Sequence, residues 1–360
     1  VTVNGIVHRG PRLVNRITDY DAGAVENEEQ DTAPTAARRV TLRDVARVAG
    51  VSHQTVSRAI NDKGEIDPET RRRVLDAARQ LRYRPSRFGR GLVRPATTTV
   101  GLVVANVVNP FYPEIIAGVI DAAESRGWKT LISTTQYSAD REPALLRSLS
   151  DQVDALICYL YQPDDVVAAA IEGVPLVLMS RRPQDPAFAA VDIDIRTGMQ
   201  AAVSHLLARG HRHIGMIDCP DARDPARKEQ FLAVAAEHGI PVAADAVASV
   251  HQSVAGGEAG LEQLRRDRPD LTAVLSFNDL VAMGAHRAAR RQGLAIPGDL
   301  ALVGFDGLTM GEFLEPPLTT IDIDKRQMGE LAVAQVEHLL AGTVPPPALV
   351  RPELLIRAST

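Results

Sequence analysis

Ser52, His53, Gln54, Thr55, Val56, Ser57, Arg58, Ala59, Ile60 and Asn61 follow one another without a gap. The polar members of that run are of the types that can read DNA. An arginine can give two hydrogen bonds to guanine O6 and N7, and a glutamine can pair with adenine N6 and N7, each worth about 1–3 kcal/mol of discrimination. Ser52, Thr55, Ser57 and Asn61 carry short polar groups suited to phosphate oxygens, as is a helix N-terminus. Thr41, ahead of the preceding helix, is counted with them. Any one of these on a helix would be an ordinary surface residue; the set is not. If Val56 faces a core, then His53, Gln54 and Ser57 or Arg58 lie around the outer face.

A second group lies far down the chain. Asn109, Phe111, Tyr112, Asn278 and Asp306 each follow an apolar run that reads as a strand. Amides and carboxylates at strand ends can exchange hydrogen bonds with vicinal hydroxyls, and aromatic rings can stack on the apolar face of a sugar. For Asp306 a helix cap is as good a reading, and for the aromatics core packing is. The joint placement at strand ends favours a binding site. No serine–histidine–aspartate signature, phosphate-binding loop or dinucleotide fingerprint occurs, so no catalytic residue and no cofactor is expected. His211 and His213 lack partners at metal spacing, and Cys158 and Cys219 sit among apolar residues, so no metal site is expected either.

These groups need elements to hold them. Thr41 and Asp44 begin a helix in which Leu42, Val45, Ala46 and Ala49 recur at helical spacing, and Gly50 stops it. Ser52 caps a second helix with Val56, Ala59 and Ile60 on its inner face. Asp67, Pro68 and Glu69 open a third, whose apolar stripe is Val74, Leu75, Ala78 and Leu81 and which Pro85 ends. Three short helices with a glycine turn between the first two describe a helix-turn-helix domain. From Thr99 the pattern changes to strands (99–104, 129–133, 154–159, 176–179, 214–217, 273–276, 301–304) alternating with helices (115–126, 231–237, 280–290). That alternation is the signature of doubly wound parallel sheets, and its length suits two of them.

Charge separates the same two parts. The chain of 360 residues carries a formal charge of −5. From Arg38 to Arg94 fifteen Lys/Arg face six Asp/Glu, a surplus of nine, which leaves −14 on the remainder. A basic module on an acidic body is the electrostatic footprint of a polyanion-binding protein. No stretch approaches the ~20 apolar residues of a membrane helix. No signal peptide is recognisable, so a cytoplasmic protein without membrane contact is expected. Residues 1–38 read as a disordered extension with no function assigned.

Val40 to Ser52 and Gln54 to Asn61, continuing through Thr70-Arg71, Val74, Ala77 and Tyr83-Arg84-Pro85, strongly resemble the headpiece of the lactose-repressor (LacI/GalR) family of bacterial transcription regulators. The resemblance runs on through Asn109-Pro110-Phe111-Tyr112, through Asp192, Asp194, Gly198 and His205 to Ile214, through Phe277-Asn278-Asp279, and through Val303-Gly304-Phe305-Asp306 with Pro317 to Ile321. It implies an all-α helix-turn-helix headpiece followed by an α/β core like the periplasmic binding proteins, with two doubly wound subdomains and a ligand between them. It places His53, Gln54 and Arg58 on the base-reading positions and Leu92 on the leucine that a DNA-induced hinge helix wedges into the minor groove. It also adds Ser180, Arg181, Arg227 and His251 to the effector site.

The boundaries that follow are a headpiece over 39–85, a hinge over 86–96 and a core over 97–360. The first subdomain takes about 97–193 and 322–342, the second about 194–321 and 343–360. The partners implied are pseudo-palindromic operator DNA, a sugar or sugar derivative as effector, and a second copy of the chain. No leucine heptads follow the last strand, so a homodimer rather than a tetramer is expected. The alternatives are an activator responding to a non-sugar ligand and, with less support, a solute-binding protein without a DNA role. Two departures stand out. Gly89 and Gly91 should make the hinge harder to fold, at about 1 kcal/mol per glycine. Ser180 replaces an aspartate ahead of Arg181 and Arg182, which leads to the expectation of surplus positive charge and an acidic or phosphorylated ligand.

Overall fold

The computed structural model describes residues 42–60, 66–81, 97–220 and 226–360. The expected extension (1–38), Thr41, Asn61 and the hinge with Gly89, Gly91 and Leu92 lie outside the described residues.

The headpiece contains α1 (Leu42–Ala49), α2 (His53–Ile60) and α3 (Pro68–Gln80). Val45, Ala46, Ala49, Val56, Ala59, Val74 and Ala77 close on one another as its core. Gly50, with φ +65°, turns α1 into α2 in a conformation costly for any residue with a Cβ. The Ser52 hydroxyl accepts the Thr55 N–H (3.1 Å), and Asp67 accepts both the N–H (2.9 Å) and the hydroxyl (3.0 Å) of Thr70. Those side chains satisfy amides that a helix start leaves open. The stripe of α3 differs by one residue from expectation. Leu75 is exposed and Ala77 is buried. Positions 74, 77, 78 and 81 hold the helical period, and 75 lies about 100° away from 74.

The core holds two six-stranded sheets. The first runs in the order β11 (Ala348–Val350), β5 (Ala189–Ile193), β4 (Leu176–Met179), β3 (Ala155–Cys158), β1 (Thr99–Val104), β2 (Lys129–Thr134), all parallel. Helices α4 (Tyr112–Glu124) and α11 (Lys325–Leu340) cover one face; α5 (Glu142–Ser150) and α6 (Asp164–Ile171) cover the other. The second sheet runs β12 (Glu353–Leu355), β10 (Thr319–Asp322), β9 (Ala301–Asp306), β8 (Ala273–Ser276), β6 (Ile214–Asp218), β7 (Val247–Ser249), parallel except for β12. Its faces carry α7 (Ile195–Ala208) with α8 (Ala226–Glu237), and α9 (Val254–Asp267) with α10 (Asp279–Arg291). The expected class, two doubly wound subdomains behind a helix-turn-helix region, is the one observed.

The chain passes between the sheets three times: after β5, after β10 and after β11. The last passage comes later than the expected 343, because Ala348–Val350 still pairs with Val191–Ile193 in the first sheet. That strand is three residues long and follows a proline run, so it has too little period to read. Gly118 of α4 and Gly329 of α11 let those helices touch backbone to backbone. A Cβ at Gly118 would strike the Arg326 carbonyl, and one at Gly329 the Ile115 carbonyl.

Candidate functional site

On α2 the buried residues are Val56 and Ala59, and Ser52, His53, Gln54 and Arg58 are exposed. Thr55 and Ser57 are half-buried. The Ser52 and Thr55 hydroxyls lie 2.9 Å apart, so part of their capacity already fixes the helix start. The outer face is therefore the one expected from the position of Val56.

The second site is a cleft of about 730 Å³ at the carboxyl ends of both sheets. Within each sheet the chain reverses its winding between neighbouring strands, β1 with β3 and β6 with β8. Loops diverge at such points and leave room for a ligand. Asn109, Phe111, Tyr112, Ser180 and Arg181 line the cleft from the first sheet, Arg227 and Asp306 from the second.

Asn109 builds its own loop. Its Oδ1 accepts the Phe111 N–H (3.0 Å) and its Nδ2 donates to the Tyr137 hydroxyl (3.0 Å). Phe111, Tyr112 and Tyr159 meet edge to face, with centroids 5.3, 6.2 and 5.2 Å apart. The aromatic pair thus spends most of its surface on packing while still lining the cleft. Burial pushes the Tyr112 hydroxyl well up from its ordinary pKa, so it stays a neutral donor. The loop bearing Tyr159 and Tyr161 hangs from buried Glu142, whose carboxylate accepts the N–H of Tyr161 (2.9 and 3.1 Å) and of Gln162 (2.9 Å).

On the opposite wall Arg227 is fixed from four sides. It donates to Asp306 Oδ1 (3.0 Å) and the Phe277 carbonyl (2.6 Å), and its guanidinium lies 4.6 Å from the Phe277 ring centroid and 4.0 Å from that of Phe305. Asp306 is buried, and burial raises its pKa against the pull of Arg227 and Lys325. Behind it Asp279 accepts the Leu308 N–H and the Thr320 hydroxyl, both at 2.6 Å. Burial, and then the nearby Asp306, push its pKa up to about 7. Lys325 donates to the carbonyls of Asp306 (2.8 Å), Ile323 (3.1 Å) and Gly307 (3.2 Å), and its ammonium is 3.7 Å from Glu114 of α4. Ser180 (φ +58°) and Asp306 (φ +105°) both hold left-handed backbone without being glycine. Such strain persists where the surroundings over-determine it, commonly at binding sites.

Two expected effector residues do not line the cleft. His251 is exposed, and its neighbour Gln252 takes the cleft position. Asn278 is fully buried and caps α10, its Oδ1 accepting the Val281 N–H at 3.1 Å. The expected surplus of positive charge is also not met. Each arginine of the cleft has its own carboxylate: Arg181 with Asp164 (2.7 Å), Arg182 with Asp192 (3.1 Å), Arg196 with Glu237 (2.7 Å) and Arg227 with Asp306 (3.0 Å). Tyr159, Tyr161, Asp192, Arg196, Gln230 and Gln252 also line the cleft and were not anticipated. The strand-end rule that picked out Asn109 would have found Tyr159, one residue past β3. Gln230 and Arg196 sit on helices and give no such signal.

Residues 41–86 match the family described as bacterial regulatory proteins, lacI family, and residues 203–360 match the periplasmic binding protein-like domain. The transcriptional regulator DegA of Bacillus subtilis (strain 168) is 32% identical over 340 residues, spanning 89% of this chain and 98% of the relative. Among solved structures, the transcriptional regulator CelR–cellobiose complex has a TM-score of 0.68 at 30% identity, covering 89% of this chain and all of that one. The lac repressor dimer bound to operator and the anti-inducer ONPF has a TM-score of 0.69 at 27% identity, covering 90% and 99%.

Proposed function

The chain belongs to the lacI family of bacterial regulatory proteins, and from that premise we propose that it is a cytoplasmic, homodimeric repressor whose operator affinity is set by a neutral sugar or sugar derivative bound in the cleft. One observation carries the DNA side: a capped helix that buries Val56 and Ala59 turns Ser52, His53, Gln54 and Arg58 outward together. In this reading His53, Gln54 and Arg58 read base edges and Thr41, Ser52, Thr55, Ser57 and Asn61 hold phosphates. Leu92 enters the minor groove. Two headpieces related by a two-fold axis read a pseudo-palindromic site.

The cleft supports the effector side. Its mixture of aromatic edges, a fixed guanidinium and a carboxylate suits an apolar sugar face bordered by hydroxyls. The pairing of every cleft arginine favours a neutral ligand over an acidic one. Regulation needs the ligand to prefer one of two arrangements of the subdomains. No residue is assigned a catalytic step.

Selection of duplexes from a random pool by the full chain, followed by anisotropy titration of the winner with and without sugars, tests both halves. A two-fold-related sequence whose affinity changes with one sugar is the expected result. Absence of any enriched sequence would sink the regulator reading.

A further inference from the structure

We infer that Gln230 is a specificity-determining residue of the cleft, its side-chain carbonyl taking a hydrogen bond from a hydroxyl of a neutral ligand. The inference rests on reading the cleft as a sugar site. Gln230 stands three residues after Arg227 in α8, so the two side chains share one helix face, and both line the cleft. Gln230 Oε1 is buried without a hydrogen-bond partner among the described residues, and so is Arg227 Nε. A buried acceptor left open loses its hydration and gains nothing in return, which is why native interiors rarely contain one. One that lines a cleft can be completed by an incoming molecule.

One face of α8 therefore offers an open acceptor beside an open donor. Two adjacent hydroxyls complement that pair: one donates to Gln230, the other accepts from Arg227. An ionised phosphate or carboxylate has no hydrogen to give, and its oxygens would face the lone pairs of the Gln230 carbonyl. Each cleft arginine has a carboxylate beside it, so its charge is already matched, and of their buried atoms only the Nε of Arg181 and of Arg227 stays open to an acceptor. At Gln230 Oε1 and Arg227 Nε the cleft thus takes a neutral vicinal diol in preference to an ionised oxygen, and the matched charges of its arginines give an added phosphate or carboxylate no free cation among its described residues.

The test uses the full chain and its Gln230→Met variant, which keeps the side chain's length and removes both amide atoms. Melting midpoints and Kd values are measured with cellobiose, lactose, ribose, glucose 6-phosphate and glucuronate. At least one neutral sugar stabilises the wild type, and both anions bind it more weakly. In the variant the Kd of that sugar rises roughly tenfold or more. The ligand-free midpoint of the variant stays level or rises, because the change removes a buried group with no partner. An unchanged Kd in the variant overturns the role of Gln230 and leaves the sugar site standing. A ligand-free midpoint that falls together with binding marks a structural role and overturns it as well. Tighter binding of either anion by the wild type overturns the ligand class without recourse to a variant. If no probe shifts the wild type, the sugar reading fails, and this inference with it.

Discussion

The outer face of α2 and the inner face of the cleft are both polar, but they hold their charges in opposite ways. On α2, Ser52, His53, Gln54 and Arg58 stand in water, and the local pairing is short-range: Ser52 with Thr55, and on α1 Arg47 with Asp44. In the cleft Arg227 and Asp306 are almost wholly out of water, and their partners lie 50 and 79 residues away. A surface that reads a polymer can leave its donors solvated, because the phosphate backbone brings charge and the groove brings acceptors. A site for a small molecule must exclude water, so its charges must be matched before the ligand arrives.

The contrast can be broken most forcefully at Asp306. Replacing it with alanine strands the Arg227 guanidinium, and breaking a buried pair from one side costs about 3–5 kcal/mol. Urea unfolding of Asp306→Ala should show a loss of that size together with loss of ligand response. A loss under 1 kcal/mol would mean that water already reaches the pair.

The two regions should also respond to pH with opposite sign. Asp279 has a pKa raised to about 7, and Asp306 is raised too, so at these two carboxyls the folded core binds more protons than the unfolded chain between about pH 4 and 7, while His205, His211 and His286, lowered by burial, work the other way. Stability from that source is present at low pH and fades as pH rises through 7. Asp67, lowered by the N–H and hydroxyl of Thr70, does the reverse: its contribution is present above about pH 4 and is lost as pH falls. Between pH 5 and pH 8 the urea midpoint of Asp279→Asn should lose less, relative to its value at pH 5, than that of the wild type. Identical pH profiles of the two would mean that Asp279 is ionised throughout.

Arg58→Ala should weaken operator binding by about 1–3 kcal/mol and relax sequence preference at one position, with no change in melting. Uniform weakening on all duplexes would make it a phosphate contact instead. Ser52→Ala removes the cap of α2 and should cost about 1 kcal/mol of headpiece stability by circular dichroism melting. At the bottom of the scale, Arg47→Ala breaks an exposed i,i+3 pair and should change the midpoint by less than about 0.5 kcal/mol. A larger effect would show that α1 leans on that pair.

The same difference in range explains what could be read in advance. The face of α2 follows from Val56 and the 3.6-residue period, all within one turn of the residues it orients. Strand ends located Asn109 and Asp306, because an apolar run of four to six residues announces itself. The pairing of Arg181 with Asp164 and of Arg196 with Glu237 joins different elements and leaves no period in the sequence. That is why a charge count around Ser180 suggested an anion site where the folded chain has a balanced one. Asn278 sits two residues past β8, as expected of a ligand contact, yet its amide is used to start α10. Position at a strand end admits either outcome, and only packing decides. The three-residue strands β7, β11 and β12 were illegible for want of length.

Lys325 stands at the tip of α11, and its ammonium grips the carbonyls at the end of β9. Four residues further on, Gly329 seats the same helix on α4 with no side chain in between. The result is a linkage without backlash. Asp306 is at once a wall of the cleft and the point to which the lever is pinned. Any displacement of its backbone would meet α11 first, through the Lys325 ammonium, and α4 next, through the close approach of Gly118 and Gly329.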